Sequence, residues 1–374
     1  MLKNNSIYRL YYEWWKNIDK SIFLLIILLF SLGLFFSLVS TSLIASDKLD
    51  TNNYFFFFRH LTYIFLGIIT LIFFSSLSKK NLFRLSIFLF FISLFLLFLV
   101  PIIGTEVKGS KRWLDLFFLP RFQPIELVKP FTIIFLATIL SSEKNIHIYY
   151  KYFLSFIAIV PISFLLMIQP DIGQTLLIFL SWLTLVFISG ISLMVFLTFF
   201  GISLSSLLYM VFFVPKFFYI KNRILSFLNP STGTHNFQSE KAIDAITSGG
   251  YFGKGIGEGT LKNRVPEAHT DYIVSVISEE FGVVVIILLL ILFLLFIYTV
   301  FKKIYLEENE KSKLVLVGTI TLIISQALIH LGVNIRLFPT TGMTLPFLSY
   351  GGSSIIGVSI ISGIILNLTK RKVN

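Results

Sequence analysis

The sequence has no cysteine. That excludes disulfides, thiolate metal sites and a cysteine nucleophile, and it says nothing of compartment. Charge is scarce too: 13% of the 374 residues are Asp, Glu, Lys or Arg, with 19 acidic against 31 basic. A soluble domain of this length needs a far more polar surface. Histidine occurs five times, at His60, His147, His235, His269 and His330, a scatter without metal-ligand spacing. The one glycine-rich stretch lacks Walker spacing and a preceding buried strand, which argues against ATP binding. No short apolar core with a cleavage site opens the chain, so the first apolar run is read as a retained helix. No internal repeat is evident.

Hydrophobic residues make up 56% of the chain, 43 of them Phe, and the mean hydropathy is +0.87. Such a chain is stable only if lipid solvates its exterior. With about 20 apolar residues per span, ten candidates emerge: 22–45, 54–76, 82–103, 125–141, 152–168, 172–189, 191–214, 271–301, 314–336 and 346–369. The eighth is long enough to tilt or to extend beyond the bilayer. The expected fold is an all-α polytopic membrane protein, a single domain over 1–374. A large extracytoplasmic loop, 215–270, lies between helices 7 and 8. Its start, Lys216 to Leu228, reads as a short helix in the interface, broken by Asn229–Gly233.

The net charge is +12. Nucleic acid is one partner for a basic protein, but in a membrane protein Lys and Arg flank the spans and face anionic lipid. No nucleic-acid partner is expected. Lys3, Arg9, Lys16, Lys20, Lys79, Lys80, Arg84, Lys144, Lys151, Lys302, Lys303, Lys311, Lys313, Lys370, Arg371 and Lys372 fall on one side of ten spans. The positive-inside rule makes that side, and both termini, cytoplasmic. Two loops depart from the rule. Residues 104–124 carry Lys108, Lys111, Arg112 and Arg121; residues 215–270 carry Lys216, Lys221, Arg223, Lys241, Lys254, Lys262 and Arg264. Long loops translocate regardless of charge, which accounts for the second better than the first. Cations held outside suit an anionic ligand such as a lipid phosphate.

The densest polar cluster runs from Asn236 to Glu280 and includes Ser248–Gly259, six of whose residues are Gly. Glycines let backbone N–H groups approach an anion; a flexible loop with turns is the plainer alternative. Asp271 stands at the mouth of the eighth span. It reads either as a general base or metal ligand whose desolvation raises its basicity, or as a helix-start residue near the positive end of the dipole. Thr270 is an alternative N-cap. Glu279 and Glu280 lie further in and need partners. Arg59 reads as a snorkelling cation. Arg336 is placed to join the outer anion site. Gln169–Asp171 reads as a tight outer turn, and Glu126 with Lys129 as a salt bridge along a helix.

Six segments then identify a resemblance: Gly109–Asp115, Phe122–Lys129, Gln169–Gly173, Ala245–Gly250, Pro266–Ile273 and Leu345–Ser354. In this order they look like the signatures of the SEDS family, the shape, elongation, division and sporulation proteins. Any one is weak; six in order are specific. Asn236-Phe237-Gln238 and Pro130 match the family pattern only loosely. Pro266–His269 and Thr340–Pro346 are more similar to the division branch than to the elongation branch.

The resemblance implies a ten-span peptidoglycan glycosyltransferase polymerising lipid II outside the bacterial cytoplasmic membrane, with inversion at the anomeric carbon. It places the essential acid on Asp271. Lys111, Arg112 and Arg121 are candidates to stabilise the leaving pyrophosphate, with Lys241, Lys254 and Lys262 behind them. Further candidate substrate-binding positions in the matching motifs are Gln123, Glu126, Lys129, Gln169, Asp171, Ser248, Gly249, Gly250, Glu267, His269, Thr270, Ser349, Tyr350 and Gly351. A divalent cation, Mg²⁺ or Mn²⁺, is compatible with this chemistry; its ligands are unknown, and no organic cofactor is expected. The implied partners are lipid II, a cognate class B penicillin-binding protein, divisome proteins and membrane lipids. An elongation-type polymerase of the same family, a transporter or lipid II flippase, and a non-catalytic scaffold are the rival readings.

Overall fold

The computed structural model describes residues 6–41, 54–107, 109–116, 119–142, 147–228 and 237–370. Lys3, Lys108, Lys144, His235, Asn236, Arg371, Lys372 and the turn Asn229–Gly233 lie outside them, as do the side chains of Arg9, Lys216 and Lys262.

Ten helices follow the ten apolar runs. They are α2 (Lys20–Thr41), α3 (Phe55–Ser76), α4 (Lys79–Ile103), α5 (Ile125–Leu140), α6 (Ile148–Ile168), α7 (Ile172–Ile188), α8 (Leu193–Phe213), α11 (Ile273–Leu306), α12 (Glu310–Asn334) and α13 (Gly352–Leu368). Seven are long and apolar enough to cross a membrane on length and composition alone. α7 and α13 are shorter apolar helices, and α5 carries Glu126 and Lys129 inside its first turns. Three more helices are not spans: α1 (Ser6–Asn17), α9 (Phe218–Leu228) and α10 (Phe237–Gly249). α9 is the short helix expected at the start of the large loop.

Two ends of the bundle are distinguished by their ties. At one end Lys303 pairs with Asp19 at 2.8 Å and Lys79 with Glu307 at 3.5 Å. Asn367 donates to the carbonyls of Phe74 (2.9 Å) and Leu77 (2.6 Å), and Trp14 of α1 donates to Ser75 Oγ at 2.8 Å. These are the segments whose lysines mark the expected cytoplasmic side. The opposite end holds the two loops that depart from the positive-inside rule.

There the 104–124 loop is folded. β1 (Thr105–Val107), β2 (Ser110–Leu116) and β3 (Leu119–Phe122) form an antiparallel sheet in that order, pairing Thr105 with Trp113 and Leu114 with Phe122. Alternation along β2 sends neighbouring side chains to opposite faces. Leu114 is buried and Arg112 partly so, whereas Lys111 and Asp115 are exposed.

The large loop is more ordered than a string of turns. α10 lies along the start of α11, close enough that a Cβ on Gly249 would stand 2.0 Å from the Ser278 carbonyl oxygen. α11 breaks helical geometry at Gly282 (φ 80°, ψ 176°), a conformation that glycine tolerates and other residues resist. Replacing Gly249 with Ala forces α10 off α11. We expect Gly249→Ala to cost about 1–3 kcal/mol, the usual range for overpacking, seen as a lower midpoint of thermal unfolding in detergent.

Candidate active site

Arg112 leaves β2 towards the turn between α6 and α7. Its Nε donates to the Gln169 carbonyl at 3.2 Å and its Nη2 to the Pro170 carbonyl. Nη1 lies 3.8 Å from Asp171 Oδ1, and Gln123 donates to Asp171 Oδ2 at 3.2 Å. Gln169 itself donates to the Leu97 carbonyl at 3.2 Å, tying the turn to α4. Burial pushes the Asp171 carboxyl above its usual range, and the Arg112 charge only partly offsets this.

α9 brings two further groups. Tyr219 donates to the Met167 carbonyl at 3.2 Å, and its phenol is pushed up to about 12 by burial. Arg223 donates to the Thr340 carbonyl at 3.4 Å. Burial, and after it the like charge of Arg112, lower its pKa. Two guanidiniums that feel each other in a half-buried place make a site built for an anion.

Asp271 completes the group. It sits in the turn before α11, its N–H bonded to the Glu267 carbonyl at 3.1 Å. Its carbonyl accepts from Asn334 at 3.2 Å. A second brace comes from the segment before α13. Ser349 Oγ donates to the Thr270 carbonyl at 2.7 Å and accepts from the Leu345 N–H at 2.8 Å, while the Tyr350 N–H donates to the His269 carbonyl at 3.0 Å. Around a Cβ placed on Gly342, Asp271 Oδ2 would be 3.5 Å away and Arg112 Nη1 3.8 Å. The carboxylate and the guanidinium therefore border one space, which the missing Gly342 side chain leaves open.

Beneath this lies a dry polar floor. Lys129 and Glu126 pair at 2.7 Å with 1% and 3% side-chain exposure. Gln174 donates to Glu126 at 3.0 Å and Lys129 to Gln326 at 3.0 Å. Gln326 donates to the Thr344 carbonyl at 2.9 Å, and Thr344 shares a 2.6 Å hydrogen bond with Ser354.

The structure sorts the sequence candidates. Arg112, Gln123, Gln169, Asp171 and Asp271 converge. Glu126 and Lys129 brace from below, where their burial keeps them from facing a ligand. Lys111 points away because it neighbours Arg112 on a strand. Arg121 pairs with Asp115 at 3.4 Å on the exposed hairpin, and Lys241 with Asp244 at 2.9 Å on α10. Arg336 pairs with Glu240 at 3.9 Å. Arg59 lies over the Phe55 and Tyr63 rings. Thr270 does not cap α11: Tyr272 precedes the helix without a side-chain cap, and the Thr270 hydroxyl turns back to Glu267. His269 and Tyr350 pack with Phe56. Ser349 serves as a brace, and Gly351 leads into α13.

The glycine-rich stretch does meet anions, but they are the chain's own. The Gly257 N–H donates to Glu280, and the Leu261 N–H donates to Glu279 at 2.8 Å. Gly249 and Gly250 belong to this packing; the Gly250 carbonyl accepts from Val283. Ser248 is on the last turn of α10. Arg223 and Tyr219 were missed as site residues. Their signal was the amphipathic character of 218–228, which reads equally well as a surface helix.

A helical bundle with seven helices long and apolar enough to cross a membrane, whose loops bring Arg112, Arg223, Asp171 and Asp271 to one polar site, is a polytopic membrane protein of the SEDS class. The chain belongs to the FtsW/RodA/SpoVE family of cell cycle proteins, whose profile matches residues 19–374. It is 31% identical over 367 residues to the probable peptidoglycan glycosyltransferase FtsW of Caulobacter vibrioides, covering 96% of this chain and 91% of that protein. It is 32% identical to stage V sporulation protein E of Bacillus subtilis, covering 94% and 97%. Among solved structures it resembles a chain of a peptidoglycan synthase complex that coordinates polymerization and crosslinking (TM-score 0.76, 28% identity, 94% and 97% covered). It also resembles the rod shape determining protein RodA of Thermus thermophilus (TM-score 0.68, 27% identity, 94% and 96% covered).

Removing Lys129 strands a buried carboxylate. Lys129→Met should destabilise the protein by about 3–5 kcal/mol, and adding Glu126→Leu should recover most of that loss. Thermal unfolding of the single and double variants checks both.

Proposed function

We propose that this protein is a peptidoglycan glycosyltransferase that polymerises lipid II into glycan strands at the outer face of the bacterial cytoplasmic membrane, in septal synthesis during division. The observation that carries the reading is the space beside Gly342, bordered on one side by the Asp271 carboxylate and on the other by the Arg112 guanidinium.

Lipid II holds its disaccharide on a polyprenyl pyrophosphate through the anomeric carbon. In the transfer, an acceptor sugar hydroxyl attacks that carbon from the face opposite the pyrophosphate. The new C–O bond forms as the old one breaks, the bonding pair leaves on the pyrophosphate oxygen, and the configuration inverts. The hydroxyl proton goes to Asp271, which acts as general base. Arg112, with Arg223 beside it, stabilises the negative charge that grows on the departing group. Asp171 and Gln123 orient Arg112, and the Gln169 and Pro170 carbonyls fix its plane. Arginine suits this place because its fork meets phosphate oxygens in pairs.

A divalent cation, Mg²⁺ or Mn²⁺, fits only together with the substrate. No group of three or more His, Asp or Glu placed to hold a metal occurs among the described residues. Hard cations commonly bind through one or two carboxylates plus substrate phosphates, so an ion of this kind would enter with the pyrophosphate. Such an ion would add positive charge opposite the leaving group.

The likeness to FtsW proteins and to a stage V sporulation protein supports the septal role over the elongation alternative. The likeness to a chain of a synthase complex supports a class B penicillin-binding protein as partner, among divisome proteins. The lysine distribution supports cytoplasmic termini. The flippase alternative asks for a polar path through the bundle. The polar floor is instead closed, with Glu126, Lys129 and Gln326 no more than 3% exposed.

Purified Asp271→Asn should lose about 10²-fold to 10⁴-fold in lipid II polymerisation, the usual worth of a general base, while eluting and melting like the parent. Full polymerisation by that variant would remove Asp271 from the chemistry. Arg112→Lys should lower kcat as well, because a point charge replaces a fork. In proteoliposomes, translocation of lipid II without polymerisation would instead establish the flippase.

A further inference from the structure

Residues 250–261 form a strap laid against the outer part of α11. The N–H groups of Lys254 and Gly255 donate to the carbonyls of Glu279 (2.9 Å) and Glu280 (3.0 Å). Those of Val283 and Val284 donate in return to the carbonyls of Gly250 (3.0 Å) and Tyr251 (3.2 Å). With the Gly257 and Leu261 amides on the two carboxylates, the strap is fixed along its length. Yet its apolar side chains point outwards: Tyr251 is 78% exposed, Phe252 84% and Ile256 64%. A loop held this firmly does not turn its aromatics out by accident of mobility.

The sequence of α11 sets the depth of the strap. From Phe281 to Phe301 there is no charged residue; Glu280 precedes the run and Lys302 and Lys303 follow it. At about 1.5 Å per residue these roughly 21 residues rise ~30 Å, the thickness of the hydrocarbon core. Lys303, tied to Asp19, marks the opposite boundary. Gly282–Val284 therefore stand at the outer boundary, and the strap bonded to them stands there too. Below it Val284, Ile287 and Leu288 of α11 are exposed apolar residues that face lipid. Tyr251 and Phe252 extend that lipid-facing surface upwards, at the level where aromatic side chains form interfacial belts. Lys254, exposed between them, is placed to reach a lipid phosphate.

We infer that Tyr251, Phe252 and Ile256 are seated in the outer interface of the bilayer and anchor the 250–261 strap, and with it the loop leading to Asp271, at the depth of the lipid headgroups. The occupant of this surface is the phospholipid interface itself. The inference stands whether or not the catalytic reading does, since it rests on α11 and the strap alone.

The chain has no cysteine, so Phe252→Cys and Ile256→Cys each create a unique site for a nitroxide spin label. The full-length protein is placed in nanodiscs of phosphatidylethanolamine and phosphatidylglycerol, without a partner. Power saturation then compares collisions with oxygen, which partitions into lipid, and with a nickel chelate, which stays in water. Val284→Cys is the lipid reference and Asp115→Cys, exposed on the hairpin away from the strap, the water reference. Oxygen-to-nickel ratios at 252 and 256 should lie several-fold above that at 115 and approach that at 284. Ratios equal to the 115 reference would put the strap in water and overturn the inference. Low collision rates with both agents would show protein covering the surface, a second copy of the chain, and would overturn it equally. Both labelled side chains project from the surface and leave the backbone bonds of the strap in place; elution as the parent species confirms the fold.

Discussion

A carboxylate that gives up water near a bilayer has to be met by a partner within the protein. This chain answers that demand in three ways, and each answer joins segments far apart in sequence. Glu126 is met by Lys129 and Gln174, which ties α5 to α7 and, through Gln326, to α12. Asp171 is met by Arg112 and Gln123, which ties the small sheet to the α6–α7 turn. Glu279 and Glu280 are met by backbone amides of the glycine-rich strap, which ties the large loop to α11.

The site sits where the first two of these ties meet. Arg112 cannot swing freely, because its guanidinium is bonded to two carbonyls and faces Asp171. The backbone on either side of Asp271 cannot drift, because Asn334 and the Ser349–Tyr350 segment hold it from two directions. Charges fixed before a substrate arrives cost little reorganisation when charge develops, and such preorganisation is a principal source of electrostatic catalysis. The rigid outer rim above a closed polar floor also suits chemistry at the surface better than passage through the bundle.

Much of this was legible in the residues, and what was not has identifiable causes. The two basic outer loops were visible as departures from charge asymmetry. Which of their cations face the site was not, because Lys111 and Arg112 differ only in strand parity and Arg121 finds Asp115 across a hairpin. The glycine-rich stretch announced backbone donors near an anion, but its partners were Glu279 and Glu280, 18 and 23 residues downstream of the amides they accept from. Arg223 read as one basic residue on a surface helix; its neighbour Thr340 lies 117 residues away.

The sequence by itself determined the order of the apolar helices, the segments in which the lysines gather, and the family. Those properties follow from composition and local pattern, since apolar length and charge asymmetry act on one segment at a time. Only the tertiary structure decided which charged groups share a space, which are merely paired, and at what depth the large loop rests. Those properties depend on distances between segments, on strand alternation and on where a glycine lets two backbones meet, and no single segment contains them.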